Sequence, residues 1–469
     1  MPFRDQRIRQ FLRPALFVLL FLVLIAPLNA QQASPAPSAP PAAKNSPEFL
    51  ATADEVLHEM SEITGWELKS PLRKSIRSRE EIHAYVLQQM NEEKDAKERY
   101  ASTRSAEAFG LIPKGFNLET FLVDLLTEQI AGLYDPKAHE FYIADWIAPE
   151  EQRMVMSHEL THALEDQHFR IEDWVKAARP NDDAEMAREA VLEGSAMAAM
   201  LDYMLKDKGL KLRDLPDIDP ALFVGDLSQT PMLKKAPPFI KDSLMFPYFS
   251  GLTFSMTILK SDGYHGFYSV FAKPPANTQQ ILHPELYRSN SIPKPLKLEL
   301  PGNFVGASWR KLEENSLGEF GWKEVLKQYL DEERAKSLST AWDGDIYATF
   351  EQKETRKLLL VTRVRFSSVE TTTRFFGQYS EALEKKHAER SNLLRQADSF
   401  FFDTPDGGVF LRCSEKECIT LEGGDRAQFL QWLKALGWPA ATENREKSPV
   451  TKINTTDRLE ASPTQFQAL

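Results

Sequence analysis

The run His158-Glu159-Leu160-Thr161-His162 constrains this 469-residue chain more than any other feature of its sequence. On an α-helix, residues four positions apart lie on one face, so both imidazoles can bind the same metal ion. Glu159 lies beside them and can accept a proton from water that the metal activates. The spacing therefore predicts a helix that carries a hydrolytic Zn²⁺ site. The alternative is a solvated helix face with two neutral histidines.

A catalytic zinc site needs a third protein ligand and one open position, and two residues compete for that role. Glu193 lies in the next strong helical pattern, where small residues such as Gly194 allow a close approach to the metal helix. His168 lies ten residues after His158, but no glycine turns the chain off the helix between them. If the helix continues, the two histidines fall on different faces, so we expect Glu193 to be the ligand. Glu189, one turn earlier, could orient a ligating histidine or be the ligand itself.

The first thirty residues predict an export signal that is not part of the fold. Arginines precede an apolar run from Pro14 to Leu28, and Leu28-Asn29-Ala30 fits a cleavage site. The run is shorter than the ~20 residues that span a bilayer comfortably, and this length favours a signal peptide over the alternative, an uncleaved membrane anchor. We expect a periplasmic or extracellular protein with a signal peptide (1–30), a Pro/Ala-rich linker (31–47) and a disordered tail (440–469).

The segment from 48 to 345 is predicted to form a mainly helical, zincin-like unit of an α+β chain. Within it, Ile130–Tyr134 and Glu140–Ile143 are predicted to form a β-hairpin, because turn residues separate two short β-like runs. The metal helix follows and begins at Pro149, since proline suits the first helical turn. The charged stretch Glu80–Tyr100 is predicted to be one long helix.

The segment from 346 to 439 is predicted to form a small α/β unit. Leu358–Phe366 has the pattern of a strand, and Val369–His387 that of an amphipathic helix. Further strands and a closing helix suggest a small sheet with two helices, in an arrangement similar to ferredoxin. Just before this unit, Phe320–Ala335 is predicted to be a single helix.

Charge and cysteine content limit the possible partners. The formal net charge is -11 and no long Lys/Arg block exists, so nucleic acid is not an expected partner. Cys413 and Cys418 are the two cysteines, and they flank a predicted hairpin turn. They could form a disulfide in an oxidising compartment or remain two unpaired thiols, because the strand geometry decides between these states.

Several segments together carry a resemblance to known proteins. They are Gln129–Pro136, Ser157–Phe169, Val191–Ser195, Pro274–Pro284, Leu317–Gly321 and Trp342–Tyr347. In these segments the chain resembles a group of exported, largely uncharacterised bacterial zinc-metallopeptidase-like proteins of the gluzincin type, in which a glutamate follows HExxH. The similarity extends roughly from Glu119 to Tyr347, and more loosely over the C-terminal unit.

The resemblance implies a gluzincin-like fold with a defined set of site residues. His158, His162 and Glu193 would be the zinc ligands, and Glu159 the general base. Glu165 replaces a residue that is often glutamine in this group.

A peptide hydrolase also needs a group that stabilises the oxyanion and an edge that binds extended substrate. His283, in one of the resembling segments, is the first candidate for the oxyanion role, and Tyr134 is the second. Either Leu133–Asp135 or Glu140–Ile143 could be the strand edge beside the metal helix.

Three functions are compatible with these features. The first is an exported zinc-dependent peptidase that acts on peptides or proteins. The second is a non-catalytic binding or scaffold module of the cell envelope on a zincin fold, and the third is a metallo-hydrolase acting on a non-peptide amide or ester. The intact His158, Glu159 and His162 favour an active enzyme.

Overall fold

The computed structural model describes residues 47–92, 96–216 and 230–439, which contain sixteen α-helices and ten β-strands. This mixture of helix and sheet confirms the α+β class. The predicted signal peptide, the tail and the linker up to residue 46 lie outside the described residues. Within the described ranges, no helix combines the length and apolar character that a membrane span requires.

The N-terminal part of the described chain is mainly helical. Its helices are α1 (Pro47–Thr64), α2 (Arg79–Glu92), α3 (Ala96–Phe109), α4 (Leu118–Gln129), α5 (Pro149–Phe169), α6 (Ile171–Lys176), α7 (Asp182–Leu205), α8 (Pro231–Lys235), α9 (Pro238–Asp262), α10 (Gly266–Ala272), α11 (Thr278–Leu282) and α12 (Pro284–Arg288). One large apolar core joins most of these helices. The expected helix Glu80–Tyr100 falls on two helices, α2 and α3, and residues 93–95 between them lie outside the described ranges.

A three-stranded sheet lies beside α5. It consists of β1 (Arg73–Arg77), β2 (Gly132–Asp135) and β3 (Glu140–Ala144), in the order β1-β3-β2. The predicted hairpin is therefore confirmed, and Asp135 Oδ1 closes its turn by accepting hydrogen bonds from the backbone N–H groups of Lys137 and Ala138. Strand β3 pairs on both sides, so the edge strands of this sheet are β1 and β2, and the Glu140–Ile143 segment is not an edge.

Helix α5 is long because nothing interrupts it before Arg170, which adopts a left-handed conformation with φ 54°. It runs through Glu165 to Phe169, as the sequence predicts. Helix α7 begins after Asn181, whose side chain accepts a hydrogen bond from the backbone N–H of Ala184 at 3.0 Å. This cap satisfies an N–H group that has no partner within the helix.

The small residues of α7 have a different partner from the expected one. A Cβ atom at Gly194 would overlap the backbone carbonyl of Gly251, and a Cβ atom at Gly251 would overlap that of Ala190. Gly194 therefore allows a close crossing of α7 and α9, whereas we expected it to face the metal helix. The neighbouring Ser195 is the residue that faces α5, through Glu165.

The C-terminal part contains a seven-stranded antiparallel sheet. Its elements are β4 (Trp309–Asn315), α13 (Gly318–Lys327), α14 (Glu332–Ser339), β5 (Trp342–Gln352), β6 (Leu358–Phe366), α15 (Val369–Lys386), β7 (Ser391–Arg395), β8 (Ser399–Thr404), β9 (Gly407–Ser414), β10 (Glu417–Gly424) and α16 (Arg426–Ala435). The strand order is β4-β5-β6-β10-β9-β8-β7. The sheet is thus larger than the expected small unit, and its described pairings are all antiparallel.

The expected unit boundary at residue 346 falls inside β5, because β4 and the first residues of β5 belong to the same sheet. Helix α3 also packs on this sheet. The rings of Phe109 and Tyr347 meet edge to face at 5.0 Å, and Ser105 Oγ donates a hydrogen bond to Thr349 Oγ1 at 2.9 Å. The sheet and the helical part therefore share a buried interface.

Two further local predictions have clear outcomes. Phe320–Ala335 is divided between α13 and α14, because the Asp331 side chain caps the second helix by accepting a hydrogen bond from the backbone N–H of Arg334. Cys413 and Cys418 form a disulfide across the paired strands β9 and β10, so the oxidised alternative is the one found.

Candidate metal centre

The three predicted ligands come together between α5 and α7. His158 Nε2 lies 3.1 Å from Glu193 Oε2 and 3.2 Å from His162 Nε2, and the third separation, His162 Nε2 to Glu193 Oε2, is 3.7 Å. Both histidines are fully buried, and Glu193 is 5% exposed. Among the described residues, this is the group of His, Cys, Asp and Glu side chains with the geometry to hold a metal ion.

The spacing of these atoms matches tetrahedral zinc. Ligand atoms at 2.0–2.2 Å from a tetrahedral ion are about 3.3–3.6 Å from one another. The three observed separations, 3.1–3.7 Å, are centred on these values. Two imidazole nitrogens and one carboxylate oxygen also suit zinc chemically, and they leave one position open. The residues present therefore fit the ion that the sequence implies.

The electrostatics of the cluster hold two of the candidate ligands, His158 and Glu193, in the states that bind metal. Burial lowers the pKa of His158 to about 4, which keeps this imidazole neutral at pH 7. Burial acts to raise the pKa of Glu193, but hydrogen bonds with His158 and His162 outweigh it and lower the value to about 2. Glu193 is therefore a carboxylate over the whole physiological range. Burial acts to lower the pKa of His162, but hydrogen bonds with Glu165 and Glu193 outweigh it and raise this pKa well above its usual value.

Glu165 orients His162. Its Oε2 atom lies 3.0 Å from His162 Nδ1, and its Oε1 atom accepts a hydrogen bond from Ser195 Oγ on α7. A carboxylate on Nδ1 fixes the ring with Nε2 towards the metal position. Glu189 was a candidate both for this orienting role and for the ligand itself, but in the described structure it makes no hydrogen bond to His158 or His162.

Glu159 lies at the edge of β2 that does not pair with β3. The backbone N–H of Tyr134, which points away from β3, donates a hydrogen bond to Glu159 Oε2 at 2.8 Å. In the described part of the chain the buried Oε1 atom has no hydrogen-bond partner. Burial and, after it, the charge of Glu193 raise the pKa of Glu159 to about 8, against the opposing effects of His162 and the Tyr134 N–H. Gly132 permits this contact, because a Cβ there would overlap Val155 and press on Glu159.

Tyr248 completes the cluster and was missed from the sequence. It lies on α9, is 4% exposed, and stacks its ring on that of His158 at 6.2 Å and 27°. In the described part of the chain its buried hydroxyl makes no hydrogen bond of normal geometry. Burial and the charges of Glu193 and Glu159 raise the pKa of Tyr248 well above its usual value. The phenol is therefore a neutral donor beside the candidate base.

Three other side chains that the sequence suggested for the site, those of His168, Tyr134 and His283, lie away from the candidate ligands. His168 Nε2 contacts the carbonyl oxygen of Glu67 at 2.8 Å, so it does not act as the third ligand. The Tyr134 hydroxyl donates to Asp166 at 2.8 Å, and only its backbone N–H serves the site.

His283 pairs with Glu319, with 2.9 Å between its Nε2 atom and Glu319 Oε1. This hydrogen bond raises the pKa of His283. In the described structure His283 makes no hydrogen bond to His158, His162, Glu193 or Glu159. Its placement therefore gives no support to the expected oxyanion role.

The match to a known protein family covers the C-terminal sheet and not the candidate metal centre. Residues 308–429 match the model of a domain family of unknown function, DUF8575. This range runs from the start of β4 into α16, and it contains none of the three ligands. Neither the curated proteins nor the solved structures give a match to this chain.

Proposed function

We propose that this chain is an exported zinc-dependent peptidase of the gluzincin type, acting on peptides or proteins. The observation that carries the proposal is the triangle of His158 Nε2, His162 Nε2 and Glu193 Oε2, whose sides measure 3.1–3.7 Å. Glu159 lies against this triangle at the edge of a strand. Ligands, base and strand edge are the parts that a zincin-like peptidase requires.

When bound, a zinc ion would lower the pKa of water and polarise the scissile carbonyl. Glu159 then has the role of general base. Tyr134 fixes one of its oxygens, and the other remains able to accept the proton from the attacking water. A pKa raised to about 8 suits a group that takes up this proton and passes it to the leaving amine.

The negative charge that develops on the carbonyl oxygen needs a donor in addition to the metal. We assign this role to the Tyr248 hydroxyl, which lies near Glu193 and Glu159 and is not held by a hydrogen bond of normal geometry in the described structure. This assignment replaces His283, whose ring pairs with Glu319.

Two observations support the peptide substrate and the location. Strand β2 has one strand neighbour in the described structure and lies directly against Glu159, as the strand edge that binds extended substrate does in zincins. The Cys413–Cys418 disulfide supports an oxidising compartment, as expected of an exported protein.

The test compares the wild type with Glu159→Gln. Both proteins are analysed for zinc per chain, and both are incubated with a peptide library whose products are identified by mass spectrometry. We expect one zinc in each and cleavage by the wild type alone, because glutamine keeps the shape of the side chain but accepts no proton. Full activity in Glu159→Gln would refute the mechanism. Zinc without peptide cleavage in the wild type would favour the binding module or, if a non-peptide amide is hydrolysed, the amidohydrolase.

A further inference from the structure

We infer that Asp166 is a positioning residue for the candidate base, because it holds the Tyr134 side chain whose backbone N–H binds Glu159. The inference rests on the proposed peptidase function and adds to it a residue outside the group of candidate ligands. Asp166 lies on α5, seven residues after Glu159, and is 7% exposed. Its Oδ2 atom accepts a hydrogen bond from the Tyr134 hydroxyl at 2.8 Å.

Tyr134 is held at two points along the same helix. Its backbone N–H donates a hydrogen bond to Glu159 Oε2 at 2.8 Å, and its hydroxyl donates to Asp166 Oδ2. Residues seven positions apart lie on one face of an α-helix, two turns and about 10.5 Å apart. The residue therefore extends along α5 from its backbone to its ring, and a shift of β2 along the helix would disturb both hydrogen bonds.

Asp166 is itself fixed by other parts of the fold. Its Oδ1 atom accepts a hydrogen bond from the backbone N–H of Ile171, the first residue of α6, at 3.1 Å. Its Oδ2 atom also lies 3.2 Å from Nδ1 of His139, in the turn of the β2–β3 hairpin. The carboxyl group thus joins the end of α5, the start of α6 and the hairpin. It is a rigid point from which the buried Tyr134 ring can be held.

The candidate base depends on this arrangement for its orientation. In the described part of the chain, Glu159 Oε2 accepts the Tyr134 N–H, and the buried Oε1 atom has no hydrogen-bond partner. The direction of the carboxyl group therefore follows the position of that N–H group. Because a misplacement of about 1 Å can slow a reaction by as much as 10²-fold, loosening Tyr134 should slow turnover without removing any group that touches substrate.

The test removes the contact from each side. Asp166→Ala deletes the acceptor and Tyr134→Phe deletes the donor. Asp166→Asn is the conservative variant, since asparagine can still accept the Ile171 N–H and donate to the phenol oxygen. Tyr142→Phe is the control, because it removes a hydroxyl from the neighbouring strand, where it donates to Glu140 at 3.3 Å. Zinc content and melting temperature confirm that each variant is loaded and folded.

Two measurements are made on each zinc-loaded protein. Steady-state kinetics on a cleaved peptide give kcat and KM separately. A ¹H–¹⁵N spectrum of protein labelled with ¹⁵N-tyrosine reports on the hydrogen bond itself and needs no activity. The Tyr134 amide is the signal that is absent from the spectrum of Tyr134→Phe. A change in its position in Glu159→Gln shows that it reports the contact with the base, because hydrogen bonds to a carboxylate are the stronger ones.

We expect Asp166→Ala and Tyr134→Phe to lower kcat about tenfold or more and to change KM by less than about twofold. The Tyr134 amide signal should move in Asp166→Ala. Asp166→Asn and Tyr142→Phe should retain both kcat and the signal. The inference is overturned if kcat is unchanged in Asp166→Ala and Tyr134→Phe, or if Asp166→Asn loses as much as Asp166→Ala.

The two measurements separate this inference from the proposed function. Cleavage by the wild type, together with an amide signal that stays in place in Asp166→Ala, would overturn the inference and leave the peptidase standing. Wild-type protein that cleaves no peptide, together with a signal that moves as described, would refute the peptidase and leave the hold of Asp166 on Glu159 standing.

Discussion

At the residue scale, Tyr248 is the side chain whose position has the clearest chemical consequence. It stacks on His158, a candidate ligand, and its neutral hydroxyl lies near the side chains of Glu193 and Glu159. A donor held in a buried site stabilises a developing oxyanion far more than the same donor does in water. The hydroxyl should therefore act on turnover and not on metal binding.

Replacing this hydroxyl tests the assignment. We expect Tyr248→Phe to lower kcat by about 10²–10³-fold, with little change in KM or in zinc content, because the donor acts only in the transition state. Steady-state kinetics on a cleaved peptide and metal analysis measure these quantities. The matched control is Tyr264→Phe, which removes a buried hydroxyl that donates to Asp202 at 2.8 Å. Equal losses of kcat in the two variants would contradict the assignment.

The grouping of His158, His162 and Glu193 was predictable from the sequence, but the side chains around this group were only partly so. His158 and His162 follow from helical spacing alone, and Glu193 follows because α5 continues and carries His168 to another face. The role of Glu165 could be predicted, since it lies one turn after His162 on the same helix face, whereas Glu189 was the residue considered for that role. Tyr248 offered none, because no local pattern indicates which distant helix packs on the ligands.

At the scale of elements, the crossing of α7 and α9 positions the site. Glycines at the contact, Gly194 and Gly251, let the two backbones approach to a distance that a Cβ atom would prevent. Gly194 directly follows the candidate ligand Glu193, and Gly251 lies one turn after Tyr248. The same contact therefore fixes the distance between a ligand and the candidate oxyanion donor.

A methyl group at this contact should force the helices apart. We expect Gly251→Ala to lower the free energy of unfolding by about 1–3 kcal/mol, as overpacking of a tight contact does. It should also reduce turnover more than zinc affinity, because Tyr248 moves with α9. Gly377→Ala is the control, since a Cβ at that position of α15 meets no other atom within 4 Å, and it should be neutral or slightly stabilising. Chemical denaturation compares the two, and equal stability would contradict the role of the crossing.

Element boundaries were harder to predict than element types. The strands and helices after residue 346 were recognised from their periodicity, but β4 and the start of β5 were not assigned to their sheet. Within the described ranges, strand β4 pairs only with β5, which follows it after two helices, and local sequence does not encode such pairing. The family match, which begins at residue 308, agrees with the start of the sheet.

At the scale of the whole molecule, Asp183 joins α7, which carries Glu193, to the C-terminal sheet. It lies in the first turn of α7 and accepts hydrogen bonds from the backbone N–H and hydroxyl of Thr278. Its carboxyl also packs against Gly318, at the start of α13, where Asp345 of β5 accepts two backbone hydrogen bonds. Burial, together with the charges of Asp345 and Glu319, raises the pKa of Asp183 to about 8.

This junction should make stability depend on pH. The carboxyl binds its proton more tightly in the folded than in the unfolded chain, so its contribution is fully present below pH ~4 and is lost as pH rises through about 8. Asp183→Asn keeps the acceptor oxygen and carries no charge. We expect this variant to melt about 2–5 °C higher than the wild type at pH 8, with a smaller gain at pH 5. Calorimetry at both values tests this, and a gain that is larger at pH 5 would contradict it.

The central claim is that one zinc ion binds between α5 and α7. A crystal structure of the zinc-loaded protein, with anomalous data collected on both sides of the zinc absorption edge, tests it most directly. The account predicts one strong peak at about 2.0–2.2 Å from His158 Nε2, His162 Nε2 and a carboxylate oxygen of Glu193. A peak that is coordinated by His168 or Glu189 in place of Glu193, or no peak beside the two histidines, would contradict it.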